Sequence, residues 1–180
     1  DGGKVVFDEG ARTNFVTLVT NVAPFLVTVS NNALPYTFAN AGTTNRIGGS
    51  ARLIKTGPGT LTLNIASNTY TGFTIVSNGL LKWGTNWALP NNNLVTNLAT
   101  IDLNGFSGQI GGLNDPNGTG RLTNSGMARA VLTVGGGNAA GVYAGLIGDW
   151  ASGQLTLVKT GTGALILSGA SPYTGGTSNI

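Results

Sequence analysis

Short runs in which apolar and polar residues alternate recur along the whole chain. They are Lys4-Val5-Val6-Phe7, Phe15 to Val19, Phe25 to Val29, Leu61-Thr62-Leu63, Thr74-Ile75-Val76, Thr100 to Leu103, Ala130 to Val134 and Leu165-Ile166-Leu167. A period of two sends alternate side chains to opposite faces of a strand, and these runs are rich in β-branched residues. Gly, Asn, Asp or Pro bounds each run, so the pattern predicts many short strands joined by tight turns. No stretch sustains a helical period. The segment Asn86-Trp87-Ala88-Leu89-Pro90 is predicted to make a single helical turn, which the proline ends.

Many short strands suit a sandwich, a barrel or a solenoid. Internal repetition selects the solenoid. Leu53-Ile54-Lys55-Thr56-Gly57-Pro58-Gly59-Thr60-Leu61-Thr62-Leu63 returns as Leu157-Val158-Lys159-Thr160-Gly161-Thr162-Gly163-Ala164-Leu165-Ile166-Leu167. After one deleted residue, Tyr70-Thr71-Gly72 returns as Tyr173-Thr174-Gly175. Strand-turn-strand units that cannot each bury an apolar face alone must stack, which places like residues above like. Leu61 and Leu63 are expected in the core, with Thr60 and Thr62 outside. Gly57, Gly59, Gly161 and Gly163 are expected at corners with positive φ. Lys55 and Lys159 are expected to lay their stems on the coil edge and keep their amines in water.

These residues resemble the autotransporter-associated β-strand repeat. Its pattern of L-x-K-x-G-x-G-T-L-x-L, a spacer, N-x-Y-T-G-x-T and a strand ending near N-G-x-L is matched by Leu53 to Leu63, Asn68 to Thr74 and Asn78-Gly79-Leu80. The second copy runs from Leu157 to Leu167 and through Tyr173-Thr174-Gly175-Gly176-Thr177. Linking segments such as Asp102-Leu103-Asn104-Gly105-Phe106 and Ile110-Gly111-Gly112-Leu113 are similar to those of long surface repeat proteins, extending the resemblance over most of residues 29–180. The resemblance implies a right-handed parallel β-helix passenger, extracellular or on the outer surface of a bacterium. The chain is read as one β-helix segment over residues 1–180, with motif copies at 53–81 and 157–180, the second truncated.

Composition removes several function classes. Charged residues are 8% of the chain and Gly numbers 30, against about 25% charge in an average domain. The net charge of +3 comes from basic residues scattered singly, so the clustered Lys and Arg of a nucleic-acid surface are missing. No apolar run reaches the roughly 20 residues of a membrane helix. No signal peptide is visible at Asp1-Gly2-Gly3. There is no Cys and no His, which excludes His-based nucleophile systems and His-ligated zinc. No cofactor is expected.

The remaining enzyme reading is a carbohydrate-active β-helix with paired carboxylates. The acidic residues are Asp1, Asp8, Glu9, Asp102, Asp115 and Asp149. Adjacent Asp8 and Glu9 would face opposite ways on a strand and could not pair. Asp115-Pro116-Asn117-Gly118 reads as a turn in preference to a calcium site. The chain is therefore expected not to be an enzyme. Trp83, Trp87, Trp150 and Tyr143 are candidates for a sugar-stacking platform, with core or corner packing the favoured reading; Trp87 and Trp150 are carried forward as ligand-stacking candidates.

Neither end of the sequence reads as a polar cap, and the second motif breaks off. Reading Ile180 into Asp1 of a second copy sets Asp1-Gly2 on the positions of Asn78-Gly79. The expectation is one period of a longer array, joined covalently to neighbouring repeats or self-associating end to end. Asp1, Gly2, Val5 and Phe7 would meet Tyr173, Thr177 and Ile180. The alternative is an adhesin segment that binds surface glycans.

Overall fold

The computed structural model describes residues 2–42, 44–150 and 153–180. The alternating runs become strands: β1 (Lys4–Asp8), β2 (Phe15–Leu18), β3 (Leu26–Ser30), β4 (Tyr36–Asn40), β5 (Arg52–Lys55), β6 (Thr60–Asn64), β7 (Thr74–Val76), β8 (Leu80–Trp83), β9 (Leu94–Asn97) and β10 (Thr100–Asp102). They continue as β11 (Gly108–Ile110), β12 (Gly112–Asn114), β13 (Arg121–Asn124), β14 (Ala130–Val134), β15 (Gly141–Tyr143), β16 (Leu146–Asp149), β17 (Leu155–Lys159), β18 (Leu165–Leu167) and β19 (Thr177–Asn179). These named strands pair in parallel register. The chain winds into a β-solenoid of about 8 turns. Pairs such as Leu80 with Thr100 and Leu26 with Arg52 set roughly 20 to 26 residues per coil.

One face stacks β1-β3-β5-β7-β9-β12, and a second stacks β2-β4-β6-β8-β10-β13-β16. A third carries β11-β14-β17-β19. The pair β15-β18 continues the first face, because Asp115 bridges to Tyr143 and its N–H donates to the Val142 carbonyl at 2.9 Å. Inward residues form columns through the stack. Val5, Val27, Leu53, Thr74, Val95 and Leu113 run up the first face. Tyr36, Leu61, Leu81, Ile101, Leu122 and Ile147 run up the second. Each large side chain so buried contributes roughly 1.5–3 kcal/mol relative to exposure, and each coil depends on its neighbours to cover it. Leu61 and Leu63 face the core while Thr60 and Thr62 lie half-buried outside.

Two local expectations are corrected. Asn86 to Pro90 is a corner and not a helical turn, because its peptide groups point along the stack. Trp87 N–H donates to the Ser107 carbonyl at 3.0 Å, and the Trp87 carbonyl accepts from Ser67 N–H at 2.9 Å. Those bonds to the coils above and below replace any bond within the segment. Among the four motif glycines, only Gly161 has positive φ, at 69°. The others are glycine for space: a Cβ on Gly57 would lie 2.0 Å from the Asn31 carbonyl oxygen of the adjacent coil.

Candidate functional site

The repeat motif assigns each of its residues a job. At the end of β5, alternation directs Lys55 inward between Val29 and Val76, where it is fully buried. Its Nζ donates to the carbonyls of Gly57 and, at 3.4 Å, Asn78. Burial pushes the amine down to about 8. The expectation of a water-facing amine is thus overturned: the corner turns its carbonyls inward, and only a long cationic chain inside the coil reaches them. In the second copy Lys159 is half-buried and donates to the carbonyls of Thr160 at 2.5 Å and Gly161 at 2.8 Å.

The Y-T-G-x-T stretch is a second device. Tyr70 is buried, with its hydroxyl 2.8 Å from Thr74 Oγ1, and Tyr173 repeats the contact with Thr177 at 2.5 Å. Burial drives the Tyr70 phenol well above its ordinary pKa, and the Thr74 bond offsets part of that rise. A Cβ on Gly72 would lie 2.2 Å from the Ala51 carbonyl oxygen, and one on Gly175 the same distance from that of Leu155. Asn68, buried two residues before Tyr70 in the same loop, accepts from Ile47 N–H at 2.9 Å and donates to Ile65 and Ala88 carbonyls at 3.1 and 2.8 Å. It ties three successive coils together.

The five described carboxylates all accept backbone N–H groups. Asp8 takes Gly10, Glu9 takes Ala33 and Leu34, and Asp102 takes Asn104 and Ser125. Asp115 takes Asn117, Gly118 and Gly120 at 2.7 to 3.1 Å, folding back on its own turn. Burial pushes the Asp149 carboxyl up, but bonds from Thr174 and Leu155 outweigh it and hold the group below its usual range. Among the described residues, no group of three or more Asp or Glu is placed to hold a metal ion.

The end-assembly candidates divide between the two ends of the stack. Asp1 lies outside the described residues. Gly2 donates to the Ala23 carbonyl at 3.0 Å. Val5 and Phe7 line an apolar depression of about 340 Å³ together with Val27, Phe38 and Ile47. Tyr173, Thr177 and Ile180 belong to the opposite end, where β19 is the outermost strand of its sheet. No described contact joins the two groups within one chain.

The aromatic candidates also separate. Trp83 and Tyr143 are buried, while Trp87 is 44% exposed and Trp150 57%. Trp150 lies against the Arg121 guanidinium, 5.9 Å from its ring centre, over a depression shared with Asp102 and Ser125. Trp87 borders a groove of about 510 Å³ with Ser67, Thr69, Thr71, Asn91 and Asn92. The two tryptophans share no lining residue. Sequence reasoning found Trp87 but missed its groove, because the rim joins corners from two successive coils. The recurring Y-T-G pattern, Tyr70-Thr71-Gly72 in the first copy, marked the first of those corners.

A family model, the passenger-associated-transport-repeat, matches residues 53–82 and 157–178. These stretches hold the two motif copies; with the solenoid fold, they make the chain similar to an autotransporter passenger-like repeat protein. No curated protein and no solved structure matches the chain.

Proposed function

We propose that this passenger-associated structural segment is an in-line part of a surface-displayed bacterial rod, stacked end on end with further coils, and that it catalyses no reaction. The observation that carries the reading is the continuity of the interior columns. The same inward positions are filled by one coil after another, so adding a coil extends the core without altering it. Val5 and Phe7 at one end, and Leu165, Leu167 and Tyr173 at the other, present half-covered members of those columns. Unpaired strand edges beside them are seats for another parallel strand. The absence of His from the sequence and the use of every described carboxylate to hold a turn both support a role without turnover.

Parallel strands lie about 4.8 Å apart, so about 8 turns span roughly 40 Å. Electron microscopy over a concentration series is expected to reveal rods of constant width that lengthen by that increment. Val5→Lys with Phe7→Lys should return them to single units. Particles that stay single at every concentration, or that grow sideways, would overturn end-on stacking.

A further inference from the structure

The corner at Trp87 is unusual for its backbone. Its φ is 59°, in the left-handed region, where Gly and Asn are at ease and a bulky side chain is strained. The stacked position one coil earlier is Ser67, also at 59°. Strain of this kind persists only where the surroundings over-determine it, and it concentrates at working sites. Here the surroundings do so. Backbone bonds to Ser67 and Ser107 fix the Trp87 peptide groups on both sides. Ala88, Leu89 and Pro90 are buried behind it, and the Asn68 amide clamps the Ala88 carbonyl.

A rigid frame thus holds an indole half in water, at the edge of an open groove. The rim supplies the hydroxyls of Ser67, Thr69 and Thr71 and the amides of Asn91 and Asn92, all exposed. The lining carries no charged side chain. Its one ionisable group, Tyr70, is buried and bound to Thr74. The volume of about 510 Å³ is within the size of small-ligand sites. An apolar ring face beside neutral donors and acceptors matches a sugar, whose axial C–H groups stack on aromatic rings while its hydroxyls take up amide and hydroxyl partners. The missing charge selects against sulfated, phosphorylated or uronic acid chains, which would be desolvated there without a counter-charge.

We infer that the groove between the Ser67–Thr71 and Trp87–Asn92 corners is a binding site for neutral saccharide, with Trp87 as its stacking platform. The site lies on the flank of the solenoid, so it stays available whether or not the ends are stacked. The Trp150 depression, with its Arg121 and Asp102 lining, does not share this chemistry.

The test is retention on an oligosaccharide array that carries neutral hexose chains, neutral N-acetylhexosamine chains and acidic chains, followed by fluorescence titration with the best-retained member. Retention of neutral chains, saturable and equal from about pH 5 to 9 because no group in the lining changes charge there, is the expected result. The hexose and N-acetylhexosamine arms distinguish a storage or exopolysaccharide source from a wall or mucin-type one. Trp87→Asn places a residue suited to left-handed backbone and should weaken binding at least about tenfold, the equivalent of one aromatic stack, with a melting temperature equal to or above that of the parent. Paired Asn91→Ala and Asn92→Ala should weaken retention with the melting temperature unchanged, and Trp150→Ala should leave both unchanged. Retention of acidic chains alone, no retention at all, or full affinity in Trp87→Asn would overturn the inference. Rod length in the microscope is read separately, so loss of sugar binding and loss of stacking are told apart.

Discussion

Replacing Lys55 by Met tests how this solenoid manages its only fully buried amine among the described residues. Met keeps an unbranched chain of similar length and removes both the charge and the donors. Desolvation lowers the Lys55 pKa from 10.5 to about 8. At about 1.36 kcal/mol per unit, the charged form is disfavoured in the fold by up to ~3 kcal/mol. Against this, Met leaves the Gly57 and Asn78 carbonyls without the bonds they now accept, at about 1–3 kcal/mol each if water does not replace them. The two effects oppose each other at neutral pH with overlapping magnitudes, so a single measurement there says little about either. The pH dependence separates them. Below about 8 the folded and unfolded states both carry the proton, and the penalty is complete. Between about 8 and 10.5 the unfolded state binds more protons than the folded one, so stability rises with pH. Above 10.5 both are neutral and the penalty is gone. Tyr36, Tyr70 and Tyr143, whose pKa values are all raised by burial, act in the other direction above about 10, but equally in parent and variant. Urea unfolding of both proteins at pH 7, 8.5 and 10 should therefore show the parent gaining ~1.5–3 kcal/mol relative to Lys55→Met across the series. A difference that is flat with pH, or that moves in favour of the variant, would refute the claim that the amine is held out of water.

Two glycine substitutions should differ sharply in calorimetric melting temperature. Gly57→Ala forces a Cβ to within 2.6 Å of three backbone atoms of Asn31 and should cost more than about 3 kcal/mol; Gly176→Ala, at φ 82° with nothing within 4 Å, should cost only about 1 kcal/mol. Tyr70→Phe removes a buried bond to Thr74 and should destabilise by about 1–2 kcal/mol in denaturant titrations, while Tyr173→Phe at its more exposed counterpart should fall within about 0.5 kcal/mol of the parent. Equal losses at the two tyrosines would show that position in the stack does not set the worth of the bond.

Periodicity and repetition made the strands and their stacking legible, because both depend on residue type at fixed spacing. The inward Leu61 and Leu63 and the tight corners at Gly57 and Gly59 follow from that spacing alone. What the spacing could not show is which groups the neighbouring coil brings close. Lys55 reads as a surface residue by type, yet its place in the alternation after Leu53 points it inward, and phase overrides type at this position. Gly57 reads as a left-handed glycine, although the constraint is the Asn31 carbonyl of another coil. Trp87 was legible as a candidate, but its groove is assembled from residues about one coil apart in sequence, and no local pattern records that pairing.

The two motif copies do not stand above one another, and this changes what repetition means for the surface. In the first copy β5 and β6 occupy the first and second faces, and the third side is the loop containing Asn68 and Tyr70. Between the copies, β9 and β10 are followed by three-stranded coils, β11-β12-β13 and then β14-β15-β16. The second copy consequently opens one face out of phase: β17 lies on the third face and β18 on the first, while its Tyr173 loop crosses the second, where Ile147 N–H donates to the Ala170 carbonyl at 3.1 Å. Inward positions tolerate this shift because every face is filled by apolar side chains such as Val27 and Leu53, Leu61 and Leu81, or Leu132 and Leu157. Outward positions do not, since the corner that carries the Trp87 groove has its counterpart pointing from a different side. A groove built on one motif copy is thus a feature of its place in the stack and not of the repeat itself. In a rod of such units the repeated residues supply the core, and the unrepeated linking coils decide which way each corner faces.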